Sequence, residues 1–111
     1  MDCVFCSIVA GRLPASPVHA DEHLLVLEDI RPQAPTHLLV VPRAHVASLH
    51  ELEDGELAGR LLIAAARAAR ERGLEQGWRL IANSREHGGQ EVPHLHLHVL
   101  GGRPLGPMLQ R

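Results

Sequence analysis

The segment from His94 to Leu100 reads HLHLHVL, and its strict alternation of polar and apolar side chains constrains the fold more than any other part of the chain. Successive side chains of a strand point to opposite faces, so the apolar residues would share one face and the three histidines the other. The apolar face needs a second layer to cover it. We therefore predict a strand over 94–100 that packs against a helix.

Only one long segment has the periodicity of such a helix. Leu57, Leu61, Ala65 and Ala69 recur every four residues, while most of the charged side chains fall outside that stripe. Asp54 is a suitable N-cap, and Gly73 is a suitable stop after the last turn. The pattern predicts a helix between these two residues.

Shorter segments predict the rest of the fold. Residues 3–10 predict a short helix, and the strand candidates are 18–20, 24–28, 36–41, closed by Pro42, and 78–82. Arg31–Pro35 contains two prolines and is predicted to be a loop. Strands in meander order with one main helix predict an α+β fold, a five-stranded antiparallel sheet with that helix on one face. We expect one domain over 1–111.

The composition and the charge balance argue against some classes of function. The chain has 111 residues, 11 Lys+Arg and 13 Asp+Glu, for a net charge of -2, so no basic surplus favours a nucleic-acid backbone as the partner. No apolar run is long enough to span a membrane, and no signal peptide is recognisable, so we expect a cytoplasmic protein. Phe5 and Trp78 are the only aromatic residues, so the core must be aliphatic.

The three histidines of the alternating segment are the first candidate site. At about 3.3 Å per residue they would lie roughly 7 Å apart, and the row would span about 13 Å, comparable with a nucleoside phosphate group and its leaving group. A neutral imidazole is a nucleophile near pH 7, and a charged one donates to phosphate oxygens. The alternatives are a solvated face of an edge strand and an adventitious metal-binding stripe.

Two other motifs carry candidate chemistry. In the segment 87–90, HGGQ, two glycines would let the backbone approach an anion, although an ordinary hairpin turn explains them equally well. Cys3 and Cys6 have the spacing of half a zinc site, with inert thiols on a short helix as the alternative. His45 and His50 are spaced like the histidine pair of a zinc finger, but no other finger pattern is present.

The segments 87–104, HGGQEVPHLHLHVLGGRP, and 29–42, DIRPQAPTHLLVVP, resemble the signature of the histidine triad (HIT) family. The resemblance extends from Phe5 to about Pro107 and is greatest to the Hint branch of purine nucleoside phosphoramidases. It implies a HIT-like fold and a homodimer whose two sheets join. It also implies hydrolysis of purine nucleoside 5'-phosphoramidates, derivatives of AMP or GMP, through a covalent nucleotidyl-histidine.

The resemblance also implies roles for individual residues. His96 would be the nucleophile, flanked by His98 and His94, with His37 supporting a relay of hydrogen bonds. Asp29 would bind the ribose hydroxyls. The base pocket would be lined by Phe5, Ile8, Leu27 and Ile30. The phosphate would be bound by Asn83, Gly89, Gln90 and the backbone of Glu91 and Val92.

Some family members also pair an N-terminal C-x-x-C with two histidines, which here implies a structural zinc held by Cys3, Cys6, His45 and His94. His50 is the alternative to His45. Glu91 stands where some relatives have serine, which would favour a cationic leaving group such as lysine. Pro93 stands where relatives often have an aromatic residue.

Two alternatives to the phosphoramidase are also compatible with the sequence. A dinucleoside polyphosphate hydrolase or nucleotidyl transferase would use the same histidine on a different leaving group. A nucleotide-binding module would keep the pocket and have no turnover.

Overall fold

The computed structural model describes residues 3–109. The terminal residues 1–2 and 110–111, which the predicted domain 1–111 includes, lie outside the described residues. The helices and strands, in chain order, are α1 Val4–Val9, β1 His19–Ala20, β2 Leu24–Glu28, β3 Thr36–Pro42, α2 Gly55–Glu71, β4 Trp78–Ile81 and β5 Leu97–Gly101. Two single turns of 3-10 helix lie at Leu49–Glu51 and Glu86–Gly88. Within 3–109, no helix is both long and apolar enough to cross a membrane.

The five strands form one antiparallel sheet, as predicted, but not in strict meander order. The order across the sheet is β1-β2-β3-β5-β4, so the last strand of the chain lies between β3 and β4. The physical reason is burial, because β3 and β5 are mostly buried whereas β4 carries exposed residues at alternate positions. The α+β class and the five antiparallel strands are confirmed, and the meander order was wrong.

Each face of the sheet has its own apolar cluster. Helix α2 covers one face, where Leu61 and Ala65 pack against Leu38, Val40 and Val99. Helix α1 covers part of the other face, where Phe5 packs with residues of β2 and β3. Alternation along the strands therefore sends one set of side chains to α2 and leaves the other set for the face that carries the histidines.

The limits of α2 agree with the sequence prediction. The Asp54 side chain accepts a hydrogen bond from the amide of Leu57 at 3.0 Å and so caps the helix. At the other end Gly73 has φ +72, a left-handed conformation that glycine adopts without a Cβ penalty. These two ends hold the helix over the middle of the sheet.

Strand β5 is shorter than predicted. It begins at Leu97, so His94 and His96 precede the regular ladder. Pro93 has no amide hydrogen to give to a neighbouring strand, and the amide of His94 donates to the carbonyl oxygen of Val92 in a turn. The turn directs His94 toward the N-terminal helix rather than along the row predicted from strand spacing.

Candidate active site and metal centre

The two central strands bring His37 and His98 together. His37 lies near the start of β3, and His98 of β5 is the cross-strand partner of Leu39. Directly paired residues share a face, as do residues two apart, so both histidines lie on the face opposite α2. The central position of β5 therefore accounts for this half of the site.

The amide of Gln33 sets the hydrogen positions of this pair. The Gln33 N–H donates to Nδ1 of His37 at 3.1 Å, so neutral His37 carries its hydrogen on Nε2. That nitrogen lies 2.9 Å from Nδ1 of His98 and donates to it. We call the Gln33 amide and the imidazole rings of His37 and His98 the histidine relay. In neutral His98 the hydrogen is consequently on Nε2, the nitrogen left for a ligand.

Burial keeps His98 neutral. Desolvation, followed by the neighbouring His96 and His37, lowers the pKa of His98 to about 4, against the weaker opposite effect of Asp29. Near pH 7 the ring therefore accepts at one nitrogen and donates at the other. It is a hydrogen-bond donor without a full positive charge.

His96 has the opposite tautomer. Its Nδ1 lies 2.7 Å from the backbone carbonyl oxygen of His94, and because a carbonyl only accepts, Nδ1 carries the hydrogen. The lone pair is then on Nε2. The Phe5 ring packs against His96 with centroids 5.1 Å apart, and the His98 ring lies at 5.1 Å in an edge-on arrangement. His96 is thus a buried, oriented imidazole with a nucleophilic nitrogen.

Asp29 borders the same site. One carboxylate oxygen, Oδ1, accepts a hydrogen bond from the amide of Arg31 at 2.8 Å, and the other, Oδ2, lies 3.3 Å from Nε2 of His37. The first contact fixes the carboxylate at the start of the loop 31–35. The second places a negative charge beside the histidine relay, where it can also accept from hydroxyl donors.

A loop over 83–90, which we call the glycine loop, precedes His96 in the sequence. The Asn83 side-chain amide donates to the carbonyl oxygen of Gly88 at 2.6 Å, and Gly89 adopts φ +78. The Gln90 side chain donates to the carbonyl oxygens of Ala47 and Val92 and accepts from the amide of Arg85. Asn83 and Gln90 therefore brace the loop with their amide nitrogens.

Arg85 clamps the glycine loop to the rest of the protein. Its guanidinium contacts the Glu51 carboxylate at 2.9 Å and 3.0 Å, and Ser48 donates to the same carboxylate. Arg85 is the one non-glycine residue in the described chain with positive φ, at 63°. The backbone of a non-glycine residue is strained in that conformation, and the contacts with Glu51 and Gln90 hold Arg85 there.

Four residues proposed to bind substrate share one apolar cluster. Phe5 and Leu27 are buried in it, and Ile8 and Val92 pack against them. Two other residues implied by the resemblance are not buried in this cluster: Ile30 is 93% exposed, and Glu91 is exposed. The structure thus gathers most of the predicted base pocket beside His96 and leaves Ile30 on the surface.

The Cys/His cluster consists of Cys3, Cys6, His45 and His94. The Nδ1 atoms of the two histidines are 3.2 Å apart, and their distances to the two sulfur atoms range from 3.1 to 3.8 Å. His94 is fully buried, and its Nε2 donates to the carbonyl oxygen of Pro42 at 2.9 Å, which leaves the Nδ1 lone pair facing the sulfurs.

These observations fit a tetrahedral zinc site. Separations of 3.1–3.8 Å match the edges of a tetrahedron with the usual Zn–N and Zn–S lengths, and all four donor atoms lie within 4.8 Å of one another. A carbonyl partner on the second nitrogen is typical of zinc-bound histidine. Desolvation and then the hydrogen bond to Cys3 raise the pKa of the Cys6 thiol, an effect a bound cation reverses. His45, not His50, is the second histidine of the cluster.

Asp29, His37 and His98 also bring three ligand-type atoms within 4.8 Å of one another. The hydrogen-bond pattern argues against a metal there. Because the Gln33 amide donates to Nδ1 of His37, Nε2 keeps its hydrogen and has no lone pair for an ion. His37 and His98 are better described as members of the histidine relay, with the Asp29 carboxylate beside it.

This fold and its histidines define a known class of protein. The HIT domain family model matches residues 10–105. The chain therefore belongs to the HIT family, and the resemblance found in the sequence is confirmed.

Particular relatives extend the comparison. The purine nucleoside phosphoramidase of Escherichia coli strain K12 is 42% identical over 111 residues, covering 97% of this chain and 93% of that protein. The HIT family hydrolase of Legionella pneumophila Philadelphia 1 is 47% identical, with a TM-score of 0.91 and coverage of 95% and 96%. The HIT family hydrolase of Clostridium thermocellum is 38% identical, with a TM-score of 0.93 and coverage of 98% and 97%. The chain is a HIT-family hydrolase.

Proposed function

We propose that the protein hydrolyses purine nucleoside 5'-phosphoramidates through a covalent nucleotidyl-histidine on His96. The observation that carries this proposal is the 2.7 Å contact between Nδ1 of His96 and the carbonyl oxygen of His94, which leaves the Nε2 lone pair as the nucleophile. Nε2 attacks the α-phosphorus, the bond between phosphorus and the amine nitrogen breaks, and the amine takes a proton from solvent, to which the later hydrolytic step returns one. Water then attacks the same phosphorus, releases the nucleoside monophosphate and restores His96.

The neighbouring histidines support both steps. His98, neutral at pH 7, donates from Nε2 to a phosphate oxygen, and the charge that develops there in the transition state strengthens this bond. His37 donates to the other nitrogen of His98 and so keeps it in the donating tautomer. The backbone amides of Glu91 and Val92 supply further donors to the phosphate, whereas the amide of Gly89 donates to the carbonyl oxygen of Glu86 at 3.0 Å.

The nucleoside is bound by the remaining residues. Asp29 accepts hydrogen bonds from the ribose hydroxyls, since its carboxylate is fixed by Arg31 and faces the relay. The purine packs on the cluster formed by Phe5, Ile8, Leu27 and Val92. Glu91, exposed at the end of the glycine loop, attracts a cationic leaving group such as a lysine amine.

Zinc has a structural role in this proposal. Cys3, Cys6, His45 and His94 hold it with four protein ligands and no open position, so it supplies folding energy and no reacting group. The reduced thiols that such a site requires are expected in a reducing compartment, which favours the cytoplasm.

The active form is a homodimer joined along β4. This strand is an edge of the sheet, and its Trp78 and Leu80 are exposed. At 100° per residue, Leu62 of α2, which is 52% exposed, lies on the flank opposite the one that faces β1 and β2. An open strand edge beside exposed apolar side chains suits pairing with a second copy.

The experiment that tests the function measures AMP release from an adenosine 5'-phosphoramidate of lysine and, in parallel, from diadenosine tetraphosphate. The wild type is compared with His96→Ala and with His23→Ala, a histidine outside the site. We expect the phosphoramidate to be cleaved, His96→Ala to lose at least about 10⁴-fold in rate, and His23→Ala to match the wild type. Mass spectrometry after acid-free quenching should find the nucleotidyl group on His96.

Other outcomes identify the alternatives. Faster release from diadenosine tetraphosphate would favour the dinucleoside polyphosphate hydrolase. AMP binding without cleavage of either substrate would favour a nucleotide-binding module and would reject the proposal.

A further inference from the structure

The chain that follows β5 returns to the loop over 31–35, which we call the proline loop. The Arg103 guanidinium donates from Nη2 to the carbonyl oxygen of Gln33 at 3.2 Å, and from Nη1 to the carbonyl oxygen of Pro104 at 3.0 Å. Gln33 is the residue whose amide donates to His37. A surface arginine is thus connected to the histidine relay through one loop residue.

A second contact holds the same two segments together. Gly102 has φ +100, and a Cβ built on it would lie 2.8 Å from Cβ of Pro35. The backbone at Gly102 therefore approaches the proline loop more closely than any larger residue allows. Arg103 directly follows Gly102, which packs on the proline loop, so its side chain lies close to Gln33.

We propose that Arg103 is a positioning residue for the reaction, acting through Gln33 on the tautomer of His37. It holds the peptide between Gln33 and Ala34 by its carbonyl oxygen. This fixes the Cα of Gln33 and thereby the preceding peptide, whose N–H stays on Nδ1 of His37. With that donor in place, His37 carries its hydrogen on Nε2 and donates it to His98. Without it, His37 also populates the other tautomer, which has no Nε2 hydrogen for His98. This inference rests on the proposed function for its kinetic consequences only.

The hydrogen-bond acceptors of Arg103 support a positioning role. Each Arg103 contact given above ends on a backbone carbonyl oxygen, which orients a peptide without neutralising a charge. The proline loop contains Pro32 and Pro35, and neither has an amide hydrogen to anchor it. The side-chain donor of Arg103 is therefore one restraint on the Gln33 backbone, beside the contact of the Arg31 amide with Asp29 and the packing of Gly102 on Pro35.

The chain offers a matched control. Arg79 anchors the same C-terminal segment further along, where its guanidinium donates to the carbonyl oxygens of Gly106 and Pro107 at 2.7 Å and 3.3 Å. Arg79→Gln removes an arginine-to-backbone anchor of that segment without touching the proline loop. Arg103→Gln removes the anchor on Gln33, and Arg103→Lys keeps a donor at that position.

Two measurements do not depend on any substrate. Hydrogen exchange reports the Gln33 amide, and the ring ¹⁵N shifts of His37 and His98 report their tautomers. In Arg103→Gln we expect the Gln33 amide to exchange about ten times faster or more and the His37 ring to show a mixture of tautomers. Arg79→Gln should give wild-type values for both, and Arg103→Lys should lie between.

The kinetic measurement follows phosphoramidate hydrolysis. We expect Arg103→Gln to lower kcat by the factor by which the Nε2–H tautomer of His37 is depleted, roughly 2- to 10-fold, and to shift the pH profile of kcat. KM should change little, because the nucleoside pocket is intact. Unchanged amide exchange and ring shifts in Arg103→Gln would overturn the inference, as would the same changes in amide exchange and ring shifts in Arg79→Gln. A wild type with no hydrolysis would reject the proposed function and leave the exchange and shift results to decide on Arg103.

Discussion

The backbone carbonyl oxygen of His94 lies 2.7 Å from Nδ1 of His96, so a residue whose side chain belongs to the Cys/His cluster orients the ring of the proposed nucleophile through its main chain. The His94 carbonyl is itself held on both sides. Nε2 of His94 donates to Pro42, and the amide of Leu95 donates to the carbonyl oxygen of Val46 at 2.6 Å. The candidate metal centre and the candidate active site therefore share one rigid peptide.

Zinc binding is predicted to depend on His45 and not on His50. His45→Ala removes one of four ligands, so we expect zinc content to fall from one ion per chain to well below one, and the melting temperature to fall with it. Zinc at about a thousand times its dissociation constant stabilises a folded chain by about 4 kcal/mol. His50→Ala, a control outside the cluster, should retain both values. Elemental analysis with thermal unfolding checks this, and equal zinc loss in the two variants would refute the ligand set.

The dimer is predicted to depend on one flank of α2. Leu62 and Ile63 are neighbours with similar exposure, 52% and 57%, but Ile63 lies on the flank facing β1 and β2. Leu62→Lys should shift the protein toward monomers in sedimentation velocity, because burying an ammonium group at an interface is costly. Ile63→Lys should sediment like the wild type. Dimers in both variants would exclude this flank from the interface.

Lowering the pH is predicted to destabilise the folded protein, in part because His98 becomes protonated. Its pKa is about 4 in the folded protein against a usual 6.5, so between these values the unfolded chain binds a proton that the folded chain does not. The free energy of unfolding therefore decreases as pH falls from 6.5 to 4. His98→Asn should show a shallower decrease in urea titrations across that range. A variant slope equal to that of the wild type would contradict the assignment.

The close approach at Gly102 predicts a specific cost. Gly102→Ala forces a non-glycine residue to φ +100 and places its Cβ against Pro35, whereas Gly106→Ala has φ +83 and open space around the new Cβ. Both variants incur backbone strain of about 1–3 kcal/mol, and Gly102→Ala adds overpacking of about 1–3 kcal/mol. Chemical denaturation of the two variants measures the difference. Equal losses would mean that the proline loop moves aside freely.

Local patterns were sufficient to predict most of the elements. The limits of α2 follow from Asp54 and Gly73, whose capping and left-handed conformations are local properties. The position of β5 between β3 and β4 does not follow from a local pattern, because it depends on which strands are most buried. The late start of β5 has a local cause at Pro93 that the alternation of the histidines concealed.

The parts of the site that depend on side-chain chemistry were predictable from the sequence. The histidines and the C-x-x-C motif are visible as residue types, and the family resemblance supplied the partners His45 and His37. The contribution of Gln33 was not visible, since it comes from a main-chain amide that every residue other than proline possesses. Arg103 was likewise indistinguishable from other surface arginines until the fold brought it to the proline loop.

The strand order has a consequence for how the protein acquires its activity during synthesis. β5 is the last of these five strands to leave the ribosome, yet it lies inside the sheet and carries His98. Until it emerges, β3 and β4 have no partner between them, and the nascent chain exposes two unpaired strand edges. Closure of the sheet and assembly of the histidines are therefore a single late event, so an incompletely translated chain has neither a finished core nor a reactive site.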